Sequence, residues 1–516
     1  MKRKSFLWEI GCEEIPATWL SDLLCGLSER VQLELGSLGF AVDVGSIDVE
    51  VSGTCRRFVV HVTKLPEWKP VVTEKVSGPP LTIAKDEFGN WTKAALGFAR
   101  NNNVDVNELE TISTRKGQYL GFSRKTKEQK TIEELPVLMK KILRGLPFPK
   151  FMHWDAKLDD GKAFLFGRPI RWMVALFGTQ VVPFEIEVVG APSVRSGRRS
   201  RGHRFLASKD NRAGAPFSVS SYTDLKRKLK QHCVILDPME RRVRLRRTLD
   251  RLQKKVGAER EQSLDLEIVA DLLEWPGAIL GNYPDEFLCL PEEIRHTVLV
   301  HHQRYFPLLK TSSFIAPTNM KTDPKGNITK GAERVVVARF RDAKFFWDED
   351  LKTPLINLVS ELENVVFHAK LGTYGAKKDR VARLSIEIAG GMSMDIATIK
   401  RAATLAKCDL VTGMVSEFPE LQGIVGGLYA REQGEPEAVW KAVYAHHQPL
   451  ALEGENTFPL NAEGVVLSLA DKLDTLVSMF SVGMVPTGSR DPFALRRTAL
   501  GIIRLLLESG ENLSFP

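Results

Sequence analysis

The 516-residue chain lacks most of the short devices by which enzymes hold nucleotides and metals. No two of its 39 glycines are two residues apart, which excludes the G-x-G-x-x-G loops of dinucleotide-binding and kinase folds. The G-x-x-x-x-G-K-[ST] phosphate loop, the H-E-x-x-H zinc helix and the G-x-S-x-G elbow are absent too. Cysteine is sparse: Cys12, Cys25, Cys55, Cys233, Cys289 and Cys408 form no C-x-x-C pair, so neither a disulfide framework nor a zinc knuckle is expected. No run approaches the roughly 18 apolar residues of a membrane helix. Met1-Lys2-Arg3-Lys4 resembles the start of a secretory leader, but Glu9 stops the apolar Phe6-Leu7-Trp8 at once. With 43% hydrophobic and 26% charged residues, the expectation is a cytoplasmic, soluble protein with no membrane contact. At about 150 residues per domain it would hold three or four domains.

What is present is charge, unevenly placed. The net charge is +8, yet Val194–Lys255 alone carries nineteen Lys/Arg against five Asp/Glu, leaving the remainder at −6. A basic block in an otherwise acidic chain points to a polyanion, nucleic acid before membrane, although a solvated helix face would also be basic.

Apolar periodicity sketches the organisation, a multidomain α+β protein whose N-terminal mixed α/β region is followed by an all-α domain. Alternation at Ile47, Val49, Val51 and at Phe58, Val60, Val62 predicts two strands, with a turn at Ser52-Gly53-Thr54. Another strand is expected at Val181–Val189, entered from the run Ile170–Phe177. Ser77-Gly78-Pro79-Pro80 reads as a stiff connector and segment boundary. Asp237-Pro238 opens a helix through 256 with Val243, Leu245, Leu249, Leu252 and Val256 as its apolar stripe. Arg241, Arg242, Arg244, Arg247, Arg251, Lys254 and Lys255 project around that stripe. From about Gly331 the patterns are helical: a segment opened by Thr353-Pro354, another over Asp395–Phe418 with a break near Gly413, a third through Val465–Phe480, and a fourth from Asp491-Pro492. The expected segments are 1–76 (α+β), 77–330 (α+β, nucleic-acid binding) and 331–516 (all-α).

Several clusters carry candidate chemistry. Arg195-Ser196-Gly197-Arg198-Arg199-Ser200-Arg201-Gly202-His203-Arg204-Phe205 reads as a glycine-spaced basic loop suited to phosphates and stacked bases, unless acids elsewhere in the fold neutralise it. His296, His301 and His302 are poorly spaced for a shared metal, and the His-Gln-Arg-Tyr run through Arg304 suits phosphate and ribose contacts or packing. Arg490, Arg496 and Arg497 surround a helix start whose amides attract anions, unless Asp491 already caps them. His446-His447 with Asp471 suggests a divalent-metal site for phosphate-ester hydrolysis, and Ala470-Asp471-Lys472-Leu473-Asp474 resembles the last element of the HD phosphohydrolases. The adjacent His-Asp pair of that superfamily would fall on Lys407-Cys408-Asp409-Leu410, where cysteine replaces histidine. Too few donors would then remain for HD chemistry, and no metal is expected.

A resemblance covers essentially the whole chain. Glu9-Ile10-Gly11-Cys12-Glu13-Glu14-Ile15-Pro16, Arg201-Gly202-His203-Arg204-Phe205-Leu206, Glu274-Trp275-Pro276 and His302-Gln303-Arg304-Tyr305-Phe306-Pro307 resemble, in order, segments of the β subunit of bacterial glycine–tRNA ligases. So do Arg341–Trp347, Glu417–Gly423, Ala470–Thr475, Pro486–Ser489 and Asp491–Arg497. The resemblance implies an α2β2 enzyme whose α subunit uses ATP and Mg to activate glycine, while this chain binds glycine tRNA, carries no catalytic residue and binds no cofactor. It also implies an editing-module-like part before residue 331 and an HD-like fold after it. His446-His447 stands where relatives have His-Tyr. Relatives continue into an anticodon-binding domain, so the chain reads as a fragment lacking it. The tRNA ligands expected are Arg198, Arg199, Arg201, His203, Arg204, Arg304, Arg496 and Arg497. Alternatives are an HD-like phosphohydrolase, an editing-type esterase, or a scaffold for the α dimer.

Overall fold

The computed structural model describes residues 2–40, 47–69, 73–85, 89–114, 117–125, 129–206, 214–392, 394–449, 460–488 and 490–508. Contacts divide it into two units: Met1–Arg251 with Asp265–Ala278 and Pro317–Thr322, and Leu252–Leu264 with Ile279–Ala316 and Asp323–Pro516.

The first unit is organised by the strand Arg3–Cys12, whose side chains alternate between two covered faces. Phe6, Trp8 and Ile10 face the helices Ala17–Ser37 and Thr131–Gly145, represented in that core by Leu20, Leu27, Leu138 and Ile142. Leu7 joins Val59, Val174 and Leu176 on the other face, under Leu225 and Leu229 of the helix Tyr222–Gln231. The sheet runs in the order Val49–Thr54, Arg57–Pro66, Arg3–Cys12, Ile170–Phe177, Val194–Gly197, Glu185–Val188, Met152–Lys157, Ala163–Phe166. Its pairs are antiparallel except Val194–Gly197 with Ile170–Phe177, which is parallel.

The expected hairpin forms, but its turn is Cys55-Arg56; Ser52-Gly53-Thr54 belongs to the first strand and pairs with 57–59. The proline-rich 77–80 stretch is not a bare connector either. It ends the strand Thr73–Pro80 at the edge of a three-stranded sheet, where a missing amide is tolerated. The expected 76/77 boundary lies inside that strand. The expected strand over 181–189 is two short pieces, Gln180–Val181 and Glu185–Val188.

The second unit is dominated by helices, among them Asn327–Asp350, Tyr374–Gly391, Ile424–Glu432, Glu437–Ala445 and Ala462–Ser481. The segment after Thr353-Pro354 is a 3-10 helix, Leu355–Asn364, burying Leu355, Leu358 and Leu362. It leads into a small hairpin, Val366–His368 with Gly372–Thr373, so the region after 331 is not purely helical. The 395–418 pattern resolves into the helix Ile396–Leu405, the 3-10 turn Cys408–Val411 and the short helix Gly413–Glu417, capped by Thr412.

Candidate nucleic-acid interface

The basic segment is a strand pair rather than a loop. Val194–Gly197 lies beside Ile170–Phe177, and Arg199–Arg201 pairs antiparallel with Pro216–Ser218. The alternation of the second strand decides what each residue can do. Ser200 points inward and is fully buried, Arg199 is exposed and Arg201 half-buried. Arg198, Arg199 and Arg201 line a cleft of about 700 Å³ together with Arg171 and Arg195. The Arg199 guanidinium has no hydrogen-bond or ion-pair partner among the described residues, whereas Arg198 donates to the Thr179 carbonyl. Arg171 and Arg195 reach Glu13 (2.7 Å) and Glu185 (3.1 Å) through exposed pairs, which are weak and can yield to a phosphate. Neither was among the expected ligands. Arg171 could have been found as the one charge in the apolar strand IRWMVALF.

The strand is held from beneath by a buried charge network. Arg57 is fully buried, its Nε donating to Glu274 Oε1 and one terminal nitrogen to Glu9 Oε1, both at 2.9 Å. That nitrogen also donates to the Arg201 carbonyl at 2.7 Å, and Ser200 Oγ donates to Glu9 Oε1 at 2.9 Å. Thr54 Oγ1 donates to Glu274 at 2.7 Å. Burial pushes the Glu9 carboxyl upward despite Arg57, while in Glu274 the same burial is outweighed by Arg57 and Thr54, which hold it down.

Two expected ligands are otherwise engaged. His203 is fully buried and its Nδ1 accepts from the amides of Phe205 (3.2 Å) and Leu206 (3.1 Å), so it shapes the chain instead of facing solvent. Arg204 is clamped by Glu14 (2.7 Å) and Glu13 (3.3 Å). Burial pushes the His203 pKa down, so the unfolded chain takes up a proton first on acidification. The stability this neutral ring confers is therefore complete above about pH 6.5 and falls as pH drops below it. Chemical denaturation at stepped pH is expected to show a His203→Gln chain with a slope shallower by up to about 1.4 kcal/mol per pH unit.

The helix predicted from Asp237-Pro238 is Pro238–Val256, with Asp237 Oδ1 accepting from the Met239 amide at 2.8 Å. Its buried residues through 251 are Leu245, Leu249 and, unexpectedly, Arg241, while Val243 is exposed. Arg241 is an internal strut: it donates to the carbonyls of Gly53, Ile235 and Leu236 and to Asp271 at 2.8–3.1 Å. Arg244, Arg247 and Arg251 line a second cleft of about 510 Å³ with Lys321, where the Arg244 guanidinium lies 4.3 Å from the Trp275 ring centre.

The remaining expected ligands belong to the second unit. Arg304 is exposed, just after the π-helical turn Thr297–His302, with a left-handed φ of 57°. His296 pairs with Glu261 (2.6 Å), and His302 stacks on Phe418. Arg496 and Arg497 are exposed, but the helix start beside them is already capped: Asp491 accepts from the amides of Leu495 (2.8 Å) and Arg496 (2.9 Å). The anion-attracting amides expected there are thus taken from within.

The His446, His447 and Asp471 cluster does form, one donor atom from each lying within 4.8 Å of the others. A shortage of donors is therefore not what opposes a metal. The ammonium of Lys407 stands among them, 2.9 Å from His446 Nε2, 3.5 Å from His447 Nε2 and 3.1 Å from Asp471 Oδ2. Lys377 holds the other Asp471 oxygen at 3.0 Å. The residues do not fit a divalent ion. Burial pushes His446 down to about 3, with Lys407 adding to the effect; Asp471 is held well below the usual carboxylate range by Lys407 and Lys377 although burial opposes it. Asp409 is turned elsewhere, accepting from the Gly423 amide at 2.5 Å at the start of the helix Ile424–Glu432.

The family model described as "Glycyl-tRNA synthetase beta subunit" matches residues 6–516. The glycine–tRNA ligase beta subunit of Syntrophotalea carbinolica is 40% identical over 525 aligned residues, covering 100% of this chain and 73% of its own. That of Shouchella clausii is 39% identical, covering 98% and 71%. A solved structure titled as a predicted HD superfamily hydrolase from an uncultured Thermotogales bacterium aligns with 30% of this chain and 91% of its own, at 20% identity and a TM-score of 0.20. The class these relatives define is a subunit of an aminoacyl-tRNA synthetase, a ligase of protein biosynthesis. The chain belongs to the glycyl-tRNA synthetase beta-subunit family, and the name implies a partner alpha subunit. Among the described residues no helix is long and apolar enough to cross a membrane.

Proposed function

We propose that this chain grips the sugar–phosphate backbone of glycine tRNA and orients it for glycylation by the alpha subunit, in an α2β2 assembly. The alpha subunit would supply the ATP and Mg sites; no catalytic residue and no cofactor are assigned to this chain, and the cytoplasm is where it would work. The observation that carries this reading is the cleft lined by Arg171, Arg195, Arg198, Arg199 and Arg201, with the Arg199 guanidinium unpaired among the described residues. Guanidinium groups fork onto phosphate oxygens, and a strand fixed at Ser200 presents them with little ordering left to lose. The Arg244, Arg247, Arg251 and Lys321 cleft offers a further track for the same backbone. Arg304, Arg496 and Arg497 are retained as outlying contacts, whereas His203 and Arg204 act by shaping the chain. Residues 331–516 are read as HD-like in fold and residues 77–330 as holding an editing-module-like part, neither with hydrolytic chemistry.

The test is tRNA binding by the chain with its alpha subunit across a salt series. Joint Arg198→Gln, Arg199→Gln and Arg201→Gln is expected to flatten the log–log salt slope by about 2–3, at the duplex value of roughly 0.9 per phosphate contact. An unchanged slope in a folded complex would favour the scaffold reading.

A further inference from the structure

The cluster around Lys407 has the architecture of a metal centre with an amine where the ion would be. Two imidazoles and a carboxylate converge from separate elements: His446 and His447 follow the helix Glu437–Ala445, and Asp471 lies within the helix Ala462–Ser481. The His446 ring is oriented as a metal-bound imidazole is. Its Nδ1 sits 2.5 Å from the Val443 carbonyl, which can only accept, so Nδ1 carries the proton and Nε2 offers its lone pair inward. That lone pair receives the Lys407 ammonium. Lys407 is itself 3% exposed, and its three contacts, with their partners, account for the ammonium's donors.

Charge points the same way. Asp471 already faces two cations, Lys407 on one oxygen and Lys377 on the other. Asp474 is likewise taken, by Lys377 at 3.0 Å and Arg380 at 2.6 Å. A dication added here would meet ammonium groups at contact distance, in a buried place where like charges repel strongly. Imidazole–metal bonds of about 2.0–2.1 Å also need the volume that the ammonium fills.

We infer that Lys407 is the resident cation of this centre: its ammonium does the structural work of a divalent ion, joining His446, His447 and Asp471, and keeps such ions out. Removing the amine then uncovers a site for a borderline divalent ion such as zinc or cobalt(II), the class that two imidazoles and a carboxylate select.

The experiment compares the full chain with Lys407→Ala and Lys407→Met chains, using zinc in equilibrium dialysis and thermal unfolding, and cobalt(II) for its visible absorption on imidazole ligation. The unaltered chain is expected to take up no stoichiometric ion and to keep its Tm when zinc or a chelator is added. Lys407→Ala is expected to bind one ion per chain, with a Tm raised by zinc and lowered again by chelator. Adding Asp471→Asn to that background should abolish the uptake. If the alanine chain folds only when zinc is present, the same conclusion holds. A tight ion in the unaltered chain that Asp471→Asn removes would overturn the inference. So would lysine variants that zinc neither binds nor rescues.

Discussion

An Arg57→Met chain is expected to unfold on the order of 10 °C earlier in its first unit, at about 2–4 °C per kcal/mol for a unit of this size. The cause is the isolation of two carboxylates. Glu9 and Glu274 are wholly buried and share this guanidinium, and removing one partner of a buried ion pair costs about 3–5 kcal/mol because a charge is left without compensation. Methionine fills much of the volume, so the loss reports charge rather than a cavity. Calorimetry reads it directly. A second replacement, Glu274→Gln, should recover part of the loss, since it removes one stranded charge. A Tm within about 2 °C of the unaltered chain, under 1 kcal/mol on the same scale, would mean that the carboxylates are neutral in the folded protein. The Arg201 carbonyl also loses its donor, so the tRNA affinity proposed for this strand should drop with stability.

The second large effect is expected from Asp471→Asn, in the other unit. Asp471 is the common acid of Lys407 and Lys377, and both ammonium groups are nearly devoid of solvent contact. Lys377 keeps Asp474 at 3.0 Å, but Lys407 has no other ion pair among the described residues; an amide can accept its hydrogen bond without balancing its charge, so a loss of about 3–5 kcal/mol follows from stranding that ammonium. Denaturant unfolding followed by probes in each unit should show the second unit melting first in this variant. Equal midpoints in variant and parent would show that Lys407 is neutral inside the cluster, a state that burial favours.

Much of this was legible in the residues, and the exceptions share a physical cause. Periodicity located the strands around 49–62 and the helix after Asp237-Pro238, because each buries an apolar face whose spacing is written locally, whereas the run 170–177, expected only to lead into a strand at 181–189, is itself a strand of the sheet. The strand at 199–201 carries no apolar signal, since its alternation is charged-small-charged and its inward residue is a serine serving a carboxylate 191 positions away. Arg241 looks like a surface cation in the sequence for a similar reason: two of its acceptors, Gly53 and Asp271, lie 188 and 30 positions away, and only folding brings them to it. Composition correctly marked the basic block as unusual, but it could not distribute the block between clefts and struts. In the His446–Asp471 cluster the sequence argument rests on the cysteine at 408, whereas it is the neighbouring lysine that reaches the centre.

The inward serine at 200 has one more consequence. Side chains in a strand trade sides at every step, so inserting or deleting a single residue between 198 and 200 would drive a guanidinium against Glu9, Arg57 and Glu274 and turn a hydroxyl to the outside. The segment's spacing thus works as a parity lock: its length is as constrained as its composition, and variation compatible with the fold has to come in pairs.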